Sequence, residues 1–348
     1  MRDRSQREQA GLSLIELMVS ISLGLLVLVG VLLVFTSSNN SRNEMEKSSR
    51  QIGNGSYAMH LLSQDLQLAG YFGELPAPPT PTLALAPDPC EAADLSKLAG
   101  AMQLHVQGYD NSSGNLSCLR DVKPATDVLV VRRSSTCSSA NPRDTDANNN
   151  FACDDITTGY TYLQVSGCNS DPAPSGQLSQ PYFLLDSNRA NLILNKIGCT
   201  NQARILRYRT HIYFIASNNN PGDGIPTLKR WELGQTGTGI VPLVEGIDNL
   251  QLEYGIDANA DGIADSYSAD PTGGNPANFM NWANVMAVKV HLLARNTELT
   301  ADYSDNKTYE LGLSADGSAN SVGPFHDAFK RHAYAATVRL ASPAGRRE

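Results

Sequence analysis

From Leu12 to Phe35 the chain is almost wholly apolar, with small polar residues at Ser13, Ser20 and Ser22 and one carboxylate, Glu16. As a helix this run is long enough to cross ~30 Å of hydrocarbon. A charge inside such a segment is costly in lipid, so Glu16 calls for a partner and marks a functional position. The leader Met1 to Gly11 carries Arg2, Arg4 and Arg7, partly offset by Asp3 and Glu8. A secretory signal is cut at small residues after its apolar core, whereas here the small pair Ala10-Gly11 stands before it. The positive-inside rule leaves Met1 to Gly11 in the cytoplasm and everything after Thr36 outside. A plain signal anchor carrying an accidental Glu is the alternative.

Gly11 followed by Leu-Ser-Leu-Ile-Glu-Leu-Met-Val resembles the class III signal of type IV pilins and pseudopilins. The resemblance implies that a prepilin peptidase cleaves after Gly11 and methylates the new N-terminus, Leu12. The family usually has Phe there, so Leu12 is a departure. Glu16 becomes the fifth mature residue, able to pair with the Leu12 amine of a neighbouring subunit. Such an ion pair compensates two burial penalties at once, and losing either partner strands a charge in low dielectric. The pairing therefore favours one stagger between subunits.

Helix formers continue from Asn39 to Leu68, with Met45, Ile52, Met59, Leu62 and Leu66 recurring at roughly helical spacing. Gly53 and Gly55 suggest a bend. Together about 55 residues of helix would reach roughly 85 Å. Residues 12–36 suit a membrane or a filament core, and residues 37–70 form an amphipathic continuation able to pack on a head domain. The phrase Tyr57 to Tyr71, with Leu61-Leu62, Asp65-Leu66 and Ala69-Gly70-Tyr71, is similar to the helix end of PilW-type minor pilins. Gly246 to Gln251, Val285 to Arg295 and His332 to Leu340 extend that resemblance.

Past Tyr71 the composition changes. Pro76, Pro78, Pro79, Pro81, Pro87 and Pro89 forbid regular helix and predict an extended connection into a head spanning residues 71–348. That length is sufficient for two lobes. Strands are expected at Asp127 to Arg132, Arg204 to Ile215, Thr227 to Leu233, Leu250 to Tyr254, Asn284 to Leu293 and Ala333 to Leu340. The fold class is α+β: a long N-terminal pilin helix, then a mainly antiparallel β head with long loops, stapled by disulfides.

Cys90, Cys118, Cys137, Cys153, Cys168 and Cys199 all fall in the first half of the head. An even count in an exported, loop-rich region argues for disulfides formed in an oxidising periplasm. Pairing of neighbours (90–118, 137–153, 168–199) is the simplest of the 15 connectivities that six cysteines allow. Asp257, Asn259, Asp261 and Asp265, with Gly262 and the Ile263 carbonyl, reproduce most of a calcium loop. The usual Glu at the twelfth position is replaced by Ser268, and an acidic solvated hairpin is the alternative. A weaker cluster comprises Asp144, Asp146, Asn148, Asp154 and Asp155. His326 and His332 flank Phe329-Lys330-Arg331, which reads as a short helix rather than a metal pair. Arg207 and Arg209 share a strand face and read as solvated.

No phosphate loop, nucleophile elbow or His/Asp/Ser constellation is present, so catalysis is not expected. The net charge of −8 gives no sign of a nucleic-acid surface. The expected function is that of a minor pilin that helps initiate type IV pilus assembly, located at the tip. A pseudopilin of type II secretion and a tip-displayed adhesin are the alternatives. The partners implied by the resemblance are other minor pilins, the major pilin, the assembly machinery of the inner membrane and the prepilin peptidase. The expected location is the bacterial inner membrane, single-pass with the head in the periplasm, and then the pilus.

Overall fold

The computed structural model describes residues 13–80, 83–91, 94–112, 116–140, 154–174, 177, 180–234 and 239–348. Gly11, Leu12, Cys153 and the Asp144 to Asn148 cluster lie outside the described residues. The chain forms two compact units, one ending at Arg50 and one comprising Gln51–Glu348.

A single helix, α1 (Leu14–Gln67), supplies the described regular structure of the first unit and enters the second. Within the first unit its apolar side chains are uncovered, from Leu14 at 80% exposure to Phe35 at 61%. The polar interruptions are self-satisfied. Ser20 Oγ donates to the Glu16 carbonyl at 2.6 Å and Ser22 Oγ to the Met18 carbonyl at 2.8 Å, each one turn back. These bonds satisfy both hydroxyls within the helix itself.

The second unit is built on β-strands. In chain order these are β1 (Val106–Tyr109), β2 (Val128–Ala140), β3 (Asp154–Asp155), β4 (Tyr162–Val165), β5 (Phe183–Asp186), β6 (Ile205–Ala216) and β7 (Thr227–Glu232). They continue with β8 (Ile240–Glu245), β9 (Ile247–Ile256), β10 (Ser266–Ser268), β11 (Val285–Arg295), β12 (Tyr309–Leu313), β13 (Ala319–Val322) and β14 (Arg331–Arg339). Among the described residues, β1 to β8 form one sheet, β10-β9-β11-β14 a second and β12-β13 a hairpin. Among the described residues only the β2–β3 pairing is parallel. Two short α-helices, α2 (Leu95–Ala101) and α3 (Ala341–Gly345), and 3-10 segments such as Pro276–Asn284 accompany the strands.

All six expected strands are present, most of them longer than their apolar cores. β2 runs on through the Ser/Thr-rich stretch to Ala140, because its backbone partners lie in β6. Short strands such as β4, β5 and β10 carry too few residues to show a period. The large sheet is buried on both faces, which masks alternation. Leu129, Val131, Tyr213 and Ile215 join α1 and the second sheet in one core. Their strand neighbours Val128, Val130, Ile212 and Phe214 face Phe72, Leu98 and Met102 in another. From α1, Ala58, Leu62 and Leu66 enter the first core fully buried, at the i, i+4, i+8 spacing of one helix face.

Gly53 and Gly55 do not interrupt α1. A Cβ at Gly55 would stand 2.2 Å from Cε2 of Tyr334 on β14, so this glycine admits the tyrosine ring against the helix. At Gly53 a Cβ would meet nothing within 4 Å.

Candidate functional site

Glu16 sits in the first turn of α1 and closes a reciprocal cap. Ser13 N–H donates to Glu16 Oε2 at 3.1 Å, and Glu16 N–H donates to Ser13 Oγ at 3.3 Å. This is a capping box, and the Ser-x-x-Glu spacing that signals it was present in the sequence. The second Glu16 carboxylate oxygen makes no hydrogen bond among the described residues. The cap thus orders the side chain at the helix start while leaving one oxygen free.

Inside the second unit the end of α1 is fixed by charge. Asp65 is buried, and its carboxylate meets Arg133 Nε at 2.6 Å, His211 Nδ1 at 2.7 Å and Tyr213 OH at 2.9 Å. Burial alone would raise this carboxyl, but the charges and hydrogen bonds of His211 and Arg133 hold it well below the usual carboxylate range. Asp65 belongs to the phrase that ends the helix, and its neighbours divide the remaining work. Leu62, Leu66 and Ala69 are buried in the core. Gly70, at φ +72°, approaches His105 and Pro343 where a Cβ would lie 3.1 and 3.2 Å away. The Tyr71 carbonyl accepts from Ser134 N–H. A lone Asp in an amphipathic helix reads as solvated, so its role as a hub was not visible beforehand.

A second carboxylate continues the network. Arg207 Nη2 and Arg209 Nη1 donate to Glu232 Oε1 at 3.0 and 2.9 Å, so the two arginines are not solvated as the sequence suggested. Burial would raise Glu232, but His211, Arg207 and Arg209 bring it down to about 2. The signal for this arrangement lies in pairing: His211 stands opposite Glu232 across β6 and β7.

The stretch Phe329-Lys330-Arg331 is not a helix; Arg331 opens β14. Its guanidinium is buried among carboxylates, with Nε to Asp248 Oδ2 at 2.8 Å, Nη1 to Asp305 Oδ2 at 3.0 Å and Nη2 to Asp327 Oδ2 at 2.7 Å. These bonds need an extended backbone, which overrides local helix propensity. His326 bonds Asn306, and His332 packs edge-on against Tyr334, so the two histidines are not brought together.

In the Asp257 loop the oxygens face the loop's own amides. Asp257 accepts from Ala260 and Gly262, Asn259 from Asp261, Asp261 from Ile263, and Asp265 from Ala258. Arg347 Nη1 lies 2.9 Å from Asp257 Oδ2, so the buried first carboxylate is neutralised by a guanidinium. Among the described residues no three His, Cys, Asp or Glu side chains are placed to hold one metal ion. Cys90 bridges to Cys118 and Cys168 to Cys199, with Cα separations of 5.5 and 5.0 Å. Cys137 is also disulfide-bonded.

Residues 6–32 match the prokaryotic N-terminal methylation motif, and residues 212–342 match the type IV pilus-assembly protein W family. Together the two matches support a type IV minor pilin of the PilW type. No curated protein and no solved structure matches the chain. In this chain the second match takes in the last part of β6, all of β7 to β14 and the Arg331 hub, while Asp65 and the disulfides lie outside it. Both families are structural rather than enzymatic. The signal match and the uncovered apolar helix are consistent with membrane anchoring and association with a pilus.

Proposed function

We propose that this pilin helps to initiate pilus assembly, with its head carried at the tip. The observation that carries the proposal is the first unit: an apolar helix uncovered along its length, with one charged group in its first turn. Cleavage after Gly11 leaves a cationic amine on Leu12, and the free oxygen of Glu16 receives such an amine from the adjacent subunit. Van der Waals packing of Leu14 to Phe35 against neighbouring helices supplies cohesion. The leader stays in the cytoplasm, and the head emerges into the periplasm and then onto the pilus. Its partners are other minor pilins, the major pilin, the inner-membrane assembly machinery and the prepilin peptidase. A head this large would crowd the repeat of a shaft subunit, which favours the tip.

A deletion strain scored in parallel for surface pili and for secreted enzyme activity tests the proposal. Loss of pili with secretion intact is expected. Intact pili with lost secretion would overturn it in favour of a type II secretion pseudopilin.

A further inference from the structure

Behind the end of α3 the second unit holds a cavity of about 230 Å³. Its apolar walls come from Pro76, Pro78, Met286 and Pro343, and its basic side from Arg346 and Arg347. No acidic side chain lines it. His105, also at the wall, directs its ring nitrogens to the carbonyls of Gln103 and Val285, at 3.0 and 2.6 Å. Burial pushes this histidine down to about 4, against the pull of its two carbonyl partners. Gln103 Nε2 donates to the Pro78 carbonyl at 3.1 Å, which holds the proline wall in place.

The two arginines are in different states. Arg347 is fully engaged, with Asp257 at 2.9 Å, the Asn284 side chain at 2.7 Å and the Ala283 carbonyl at 3.2 Å. Arg346, exposed at the cavity, makes one hydrogen bond among the described residues, from Nη1 to the Gly70 carbonyl at 3.0 Å. None of their carboxylates lies within ion-pair distance of it. That single bond orients the guanidinium fork while leaving its other donors available. A fixed, half-free fork beside an apolar pocket is suited to bidentate capture of a carboxylate, with the stem of the ligand against the walls.

We infer that this cavity binds a carboxylate on a short aliphatic stem, held by Arg346. The volume is below that of a site for a drug-sized ligand, which begins near about 300 Å³. It fits a small dicarboxylic acid or a single glutamate side chain presented by another protein.

The test is calorimetric titration of the full chain in detergent with glutarate, with a capped glutamyl tripeptide and with inorganic phosphate. Binding of glutarate supports the site with a free acid as its source; binding of the tripeptide alone supports it with a protein side chain as its source. R346Q should weaken that binding by about tenfold to a hundredfold, the usual loss for a hydrogen bond to a charged group. R346K, which keeps the charge without the fork, should recover part of it and also controls for folding. No binding of either carboxylate, equal binding by R346Q, or tighter binding of phosphate would overturn the inference.

Discussion

Two stretches of α1 share a backbone conformation and differ in what their side chains need. Leu14 to Phe35 exposes nearly every apolar group, while Ala58, Leu62 and Leu66 are fully buried within their own unit. Their charged residues differ in the same way. Glu16 bonds locally to Ser13 and keeps one oxygen free, whereas Asp65 is ringed by Arg133, His211 and Tyr213. One stretch leaves its apolar groups uncovered among the described residues; the other finds its partners in the same chain. The lesson is that helix content says little about partnership, and buried polar groups say a great deal.

That contrast can be broken most forcefully at Asp65. Asp65→Ala strands Arg133 and His211 in a buried site, and unfolding by denaturant should show a loss of about 3–5 kcal/mol. A loss under about 1 kcal/mol would put Asp65 in the class of exposed ion pairs and erase the distinction from Glu16.

The next effect is read by pH. Asp127 accepts from Asn111 N–H and Leu252 N–H at 2.9 and 2.8 Å, and burial, with Asp110 nearby, pushes its carboxyl up to about 7. Its folded pKa exceeds the unfolded one of about 3.9, so the folded state favours the protonated form. Stability from this group is therefore lost as pH rises from about 4 to about 7. Acidifying from pH 7 to 5 should stabilise the second unit by up to about 3 kcal/mol, and Asp127→Asn should flatten the profile. Below pH ~4.5 the slope should reverse, because Asp65 and Glu232 have lowered values and lose their contribution as they protonate. A profile of the Asp127→Asn variant identical to the parent would contradict this assignment.

The smallest effects compare two glycines two residues apart. Gly55→Ala must displace the Tyr334 ring and should cost about 1–3 kcal/mol. Gly53→Ala meets open space and should stabilise by about 0.5–1 kcal/mol through helix propensity. Equal effects at the two positions would remove the argument that Gly55 exists for packing.

Much of the architecture was legible in the residues. The apolar run, the proline-rich connection and the six longer strands follow from composition and period, which act locally. Several features were not legible because their partners are remote. Arg347 neutralises Asp257 from 90 residues away along the chain, and Arg207 finds Glu232 only through the β6–β7 register. The Arg331 hub collects Asp248, Asp305 and Asp327 from separate segments, and its extended backbone defeats a helical reading of Phe329-Lys330-Arg331. The Ser13–Glu16 cap is the opposite case: its partners stand three residues apart, and the Ser-x-x-Glu spacing alone signals it.

The decisive measurement is the number of surface pili in a strain whose chromosomal copy carries Glu16→Ala. Processing, membrane insertion and the melting temperature of the second unit should be unchanged, while pili fall to the level of the deletion strain. Normal pilus numbers with fully processed, inserted protein would contradict the role given to Glu16 and to the first unit in assembly.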